Sequence, residues 1–207
     1  GSFEIASRGY LEAAGWNIHA WGRLLRGHQV MASPPAPAVH PGPNQPGRQG
    51  LDHQGLYRIA QGLGLEYGPS FQCVEEIWND GDWAWARLLP PPEAAGAGWR
   101  LHPSSLDGAF QTLLAVLAQT GLKAEEGVFL PTSLGSTRLL CPGLTASYGV
   151  TRLLRQGKRS VVAEFWLLAE DLTPIAHLAE ARFRRMAWPS ARSLPALYRM
   201  QSILCDP

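Results

Sequence analysis

Apolar positions along the chain switch between two periods, and the switches divide it into elements. In "LHPSSLDGAFQTLLAVLAQ", residues 101–119, Leu106, Phe110, Leu113, Leu114 and Leu117 recur at the i, i+4, i+7, i+8, i+11 spacing of one helical face. This predicts a helix from Pro103 to about Gln119, with Pro103 in the first turn, where its missing N–H costs nothing. Asp107 and Gln111 then sit one turn apart on the edge of the apolar face. Taken alone, that acid reads as a helix-start carboxylate favoured by exposed amides and the helix dipole.

Elsewhere the alternation is that of strands. "FEIAS" and "WNIHAWGRLL" predict two strands near the start, while "FQCVEEIWND" and "DWAWARLLP" predict a hairpin turning across Asn79 to Asp82. After the long helix, "VFLPTSLGSTRLL", "TASYGVTRLLRQ", "RSVVAEFWLLAED" and "PIAHLAEARFRRM" are each strand-like and separated by Gly, Pro or charged turns. Between the first pair and the rest, "LDHQGLYRIAQGLGLEYG" predicts a short amphipathic helix with Leu51, Leu56, Ile59 and Leu63 toward a core. Residues 28–50, with six prolines between Pro34 and Pro46, read as a linker. The expected organisation is residues 1–27 as two strands, 28–50 as linker, 51–187 as the main unit and 188–207 as a tail. A long helix wrapped by antiparallel strands is an α+β arrangement of the hot-dog kind.

Composition narrows the function classes. The 207 residues are 45% hydrophobic and 17% charged with a net charge of +1, enough for one good core. No dense Lys/Arg cluster suggests nucleic acid; Arg182, Arg184 and Arg185 read as the solvated side of a terminal strand, with contact to an acidic carrier as a lesser reading. Cys73, Cys141 and Cys205 are far apart and odd in number, which argues against a disulfide framework or a metal site and fits a reducing, cytoplasmic setting. The longest apolar stretch is far short of the roughly 20 residues that span a bilayer. Gly1 and Ser2 resemble a cloning remnant, so the natural start is expected upstream. The eight tryptophans read as core and rim fillers.

Two stretches together resemble one family. "YGPSFQCVEEIW", from Tyr67, followed by "LHPSSLDGAFQ", from Leu101, resembles the second half of the dehydratase domains of modular polyketide synthases. The second hot-dog unit of that family carries a Tyr-Gly-Pro-x-Phe motif and then a His-Pro-x-x-x-Asp-x-x-x-Gln motif at the start of its central helix, and both are complete here. The opening strands resemble the last two strands of the family's first hot-dog unit.

The resemblance implies elimination of water from a 3-hydroxyacyl thioester carried by the phosphopantetheine arm of an acyl carrier protein, with no cofactor of the domain's own. A neutral histidine would remove the α proton and a carboxylic acid would help the hydroxyl leave. By resemblance Asp107 is that acid and Gln111 orients it. Tyr67, Gly68, Pro69, His102 and Leu106 are the expected substrate-side residues: Tyr67 either offers its hydroxyl or caps the core, Gly68 and Pro69 set a turn, and His102 shapes the helix entry.

The family's histidine lies in a His-x-x-x-Gly-x-x-x-x-Pro motif of the first unit. Four positions after His19, His28, His40, His53, His102 and His177 stand Arg23, Ala32, Asn44, Tyr57, Leu106 and Ala181, so none matches. The expectation is a chain that lacks dehydratase activity alone. The alternatives are a non-catalytic docking or dimerisation element, or a related cyclase, isomerase, branching or product template domain. Expected partners are the acyl carrier protein and neighbouring synthase domains, with neither nucleic acid nor membrane, and the open strand edge is expected to be covered either by the second hot-dog unit or by a second copy in a homodimer.

Overall fold

The computed structural model describes residues 1–8, 15–25, 49–91, 98–118 and 127–186. Most of the predicted linker, the predicted tail and Cys205 lie outside the described residues. The chain separates into two compact units, Gly1–Pro35 and Ala36–Pro207.

In the first unit, β1 (Ser2–Ser7) and β2 (Asn17–Arg23) form an antiparallel pair in which Phe3 faces Gly22 and Glu4 faces Trp21, with a bulge between Ile5 and Ala6. His19 on β2 places Nε2 2.6 Å from Ser7 Oγ.

The second unit opens with β3 (Gln49–Asp52), which pairs with β4 (Val74–Asp80). Gln49 and Gly50 were expected in the linker and Leu51 in the helix; strand pairing with Trp78 and Ile77 draws them into the sheet instead. Helix α1 is therefore shorter than its periodicity suggests, His53–Gly62, because Asp52 closes it with a side-chain cap on Gly55 N at 2.7 Å. A 3₁₀ turn, Pro69–Phe71, leads into β4, and β4 turns into β5 (Trp83–Leu88) where Gly81 adopts φ +57°.

Helix α2 (Pro103–Ala118) follows, and then β6 (Val128–Ser133), β7 (Ser136–Leu139), β8 (Tyr148–Gln156), β9 (Ser160–Leu168) and β10 (Pro174–Met186). The strands make one antiparallel sheet in the order β3-β4-β5-β8-β9-β10-β6, with β7 also on β10. The segment read as a single strand from Val128 to Leu140 is two. Strand β10 bulges between Leu178 and Ala181, where Glu180 has φ +50°, so β7 pairs before the bulge and β6 after it. Gly135 fits this corner because a Cβ there would lie 2.9 Å from Glu180 Cβ and 3.1 Å from Ala179 O.

The sheet curls around α2, which packs on β4, β5, β8 and β9. Sequence periodicity predicts one buried face, yet Ser104, Ser105, Gly108, Gln111 and Thr112 are buried along with the leucines, so the helix is enclosed on nearly every side. Close approach requires small residues. A Cβ at Gly149 on β8 would sit 3.1 Å from Ala109 Cα, and one at Gly108 would sit 2.8 Å from Cys73 Sγ. The polar residues at this contact satisfy each other: Thr112 Oγ1 donates to Ala109 O at 2.6 Å, and the Thr112 and Thr151 hydroxyls are paired. On the other face of the sheet, Trp78, Trp85, Tyr148, Val150, Trp166 and Leu168 form a second apolar cluster, with Trp83 packed against it, in keeping with their reading as fillers.

Gly149→Val raises intrinsic strand preference but forces the β8 backbone away from α2. The substitution is expected to destabilise the chain by about 1–3 kcal/mol, read as a lowered urea midpoint with an unchanged slope.

Candidate active site

The site is organised by a buried amide. Gln111 on α2 is 1% exposed, and a primary amide at that depth needs partners for two N–H groups and one oxygen. Its Nε2 donates to Asp107 Oδ2 at 2.7 Å and to the Phe71 carbonyl at 2.8 Å, while its Oε1 accepts from the Tyr57 hydroxyl at 2.7 Å. Tyr57 in turn accepts from Val74 N at 3.0 Å. The two acceptors facing Nε2 fix which way the amide is turned.

Asp107, one turn before Gln111, faces an apolar cavity of about 100 Å³ lined by residues that include Leu113, Leu114, Leu117, Phe110, Phe129 and Phe183. Burial raises its carboxyl above the usual carboxylate range, and the hydrogen bond from Gln111 partly offsets this. A second, larger cavity of about 580 Å³ is lined by polar side chains, among them His53, Gln54, Arg58, Gln61 and Gln72. Leu65 and Tyr67 line both cavities, and so form the wall they share.

Gly68 and Pro69 open the 3₁₀ turn, whose end presents the Phe71 carbonyl to Gln111; Gln72 Nε2 closes the loop on Tyr67 O at 2.8 Å. Gly68 has φ −71°, a conformation open to any residue. The Tyr67 ring meets Tyr57 edge-on at 5.7 Å, and burial together with the nearby Asp107 pushes its phenol well above its ordinary range. His102 Nδ1 accepts from Ser104 N at 3.2 Å and lies 2.7 Å from Ser104 Oγ, so it acts as the N-terminal cap of α2. Leu106, on α2 itself, is half-buried against the core, and neither it nor His102 lines either cavity.

Sequence reasoning missed Tyr57. Its signal is a tyrosine on the core-facing side of α1 next to the fully buried Leu56, where a phenol needs a partner. The Phe71 carbonyl is backbone and leaves no trace in residue identities. Nearby Cys73 gives its Sγ hydrogen to Ser104 O at 2.9 Å, and burial pushes the thiol up to about 12, which disfavours the thiolate. Among the described residues no cluster of three or more His, Cys, Asp or Glu could hold a metal, and no helix is long and apolar enough to cross a membrane.

The chain is similar to known proteins. The family described as "Polyketide synthase dehydratase N-terminal domain" matches residues 35–190. Polyketide synthase GfsE of Streptomyces halstedii is 38% identical over 127 residues, covering 60% of this chain, and pikromycin synthase component PikAII of Streptomyces venezuelae is 40% identical over 101 residues, covering 47%. The chain spans 3% of the length of each of these two relatives. Among solved structures, a trans-AT polyketide synthase dehydratase domain from Brevibacillus brevis matches with a TM-score of 0.74 at 23% identity, covering 89% of this chain and 64% of that one. The dehydratase domain of PpsC from Mycobacterium tuberculosis, solved with C12:1-CoA, matches with a TM-score of 0.66 at 26% identity over the same shares.

A raised carboxyl has a consequence for stability. At neutral pH the folded chain holds Asp107 where its charge is disfavoured, a cost that vanishes below the unfolded carboxylate pKa of about 3.9. Asp107→Asn keeps an acceptor for Gln111 without the charge. It is expected to be more stable than the parent at pH 7, with the difference closing as pH falls toward 3.9; paired urea titrations across pH check the sign.

Proposed function

The chain belongs to the polyketide synthase dehydratase family, and from that premise we propose that it supplies the acid half of a site that eliminates water from a 3-hydroxyacyl thioester. The observation that carries this reading is the Asp107 carboxyl, facing an apolar cavity, inclined by burial to keep its proton and locked in direction by Gln111. A general acid must enter the reaction protonated, and an apolar wall is the environment that favours the neutral form.

In this reading the acyl chain lies in the apolar cavity with its C3 hydroxyl toward Asp107. A base supplied from outside the described residues removes the proton at C2; the electron pair of that C–H bond becomes the C2=C3 double bond. The C3–O bond breaks as Asp107 passes its proton to the departing oxygen, which leaves as water. Asp107 is then a carboxylate, and the Gln111 N–H stabilises it until the proton returns. Tyr67 lines both cavities, which supports a contact with the chain beside the acid.

The domain needs no cofactor of its own in this chemistry, because the thioester arm belongs to the substrate carrier. Its partners are an acyl carrier protein bearing phosphopantetheine and the neighbouring domains of the synthase. A cytoplasmic setting suits the free thiols of Cys73 and Cys141.

In the intact synthase, Asp107→Asn is expected to lower dehydration of a 3-hydroxyacyl carrier substrate by roughly 10²–10⁴-fold. The loss of water is read by mass spectrometry of the acyl-pantetheine. Unchanged turnover in the variant would refute the assignment of the acid, and a cyclised or double-bond-shifted product from the parent would move the chain to a different reaction within the family.

A further inference from the structure

We propose that the Tyr57 hydroxyl is a positioning group for the acid: by fixing the Gln111 amide it fixes the bond that Gln111 donates to Asp107. The proposal rests on Asp107 being the acid, and it adds a third residue to the pair that the sequence motif contains.

The geometry leaves the Tyr57 hydroxyl fully committed. It accepts from Val74 N at 3.0 Å and gives its single hydrogen to Gln111 Oε1 at 2.7 Å, so the 3.4 Å approach to Phe71 O is a secondary contact. The ring is held on both sides, edge-on to His53 at 4.8 Å and to Tyr67 at 5.7 Å. His53 is itself anchored, its Nδ1 donating to Val74 O at 2.7 Å. Two side chains of α1 thus grip the backbone of one residue, Val74: His53 takes its carbonyl and Tyr57 takes its N–H. The first turn of α1 is pinned to the start of β4, and the phenol's shorter donated bond is the one to Gln111.

Hydrogen bonds in series polarise one another. Here the series runs from Val74 N–H to the Tyr57 hydroxyl, to the Gln111 carbonyl oxygen, and through the amide to the N–H that faces Asp107. Donation to the amide oxygen draws electron density from its nitrogen and makes that N–H a better donor. Without the phenol, Gln111 Oε1 is left buried and unpaired, and the amide gains a reason to turn away from Asp107. A residue that merely filled space would act on stability alone; Tyr57 acts on the proton affinity of a carboxyl two side chains away.

The test is the titration midpoint of the Asp107 carboxyl, followed by carbon-13 NMR of the 207-residue chain and assigned with Asp107→Asn. Tyr57→Phe keeps the ring and is expected to raise the midpoint by roughly half to one pH unit. Gln111→Ala is expected to raise it at least as much, and the double variant to match Gln111→Ala alone. Tyr148→Phe, on the opposite face of the sheet, is expected to leave it in place.

Should Tyr57→Phe not fold, 3-fluorotyrosine at position 57 retains the hydroxyl as a stronger donor, and it should lower the midpoint. In the intact synthase the alkaline limb of the pH–rate profile should move with the midpoint in either case. The proposal is overturned if a folded Tyr57→Phe chain, or the fluorotyrosine chain, shows the parental midpoint, or if the Tyr57 and Gln111 effects simply add. Failure of the underlying reading looks different: Asp107→Asn would still dehydrate while the midpoint coupling stayed intact.

Discussion

A primary amide almost fully removed from water sets the arrangement of this molecule. Leaving a buried donor or acceptor without a partner costs about 1–3 kcal/mol each, and Gln111 brings three such groups to the inner surface of α2. Their partners come from different parts of the chain: a carboxylate one turn back on the same helix, a backbone carbonyl at the end of the 3₁₀ turn, and a phenol on α1. Satisfying one amide therefore requires α1, the turn and α2 to arrive in one register. The acid belongs to that solution, and its orientation follows from the same requirement.

The depth at which this happens is set by small residues. Gly149 lets β8 meet α2 at Ala109, and Gly108 lets the helix pass close to Cys73 and Leu88. With the helix drawn into the curl of the sheet, Asp107 lies against leucine and phenylalanine side chains and is pushed toward its neutral form. Packing and chemistry are linked here by geometry: a side chain at Gly149 would press on the Ala109 backbone of the helix that carries the carboxyl. The His102 cap on Ser104 N and the paired threonines supply the polar contacts of this packing.

Much of this could be read from the residues. Asp107 and Gln111 stand at i, i+4 on a helix whose leucines announce its inner face, and alternation marks most of the strands. The Tyr-Gly-Pro-x-Phe stretch could be tied to the site by resemblance, yet besides Tyr67 it contributes a backbone carbonyl that only the folded turn presents. Tyr57 was overlooked because its partners lie 17 and 54 positions away, and no local pattern encodes such pairings. Strand β3 was hidden by the Gly- and Pro-rich stretch before it, and the break between β6 and β7 reflects a bulge on β10, about fifty positions later in the chain. Leu106 keeps the helical spacing and, as that spacing predicts, packs half-buried against the core.

The central claim is that a 3-hydroxyacyl chain meets Asp107 from within the apolar cavity. Its most direct test is a crystal structure of the intact synthase dehydratase region carrying Asp107→Asn, bound to a 3-hydroxyacyl-pantetheine. The account predicts the C3 hydroxyl within hydrogen-bond reach of the residue 107 side chain, the alkyl group against Leu113, Leu117 and Phe129, and the Gln111 amide still joined to Tyr57. A chain seated in the polar cavity beside His53 and Arg58, with its hydroxyl away from residue 107, would contradict it.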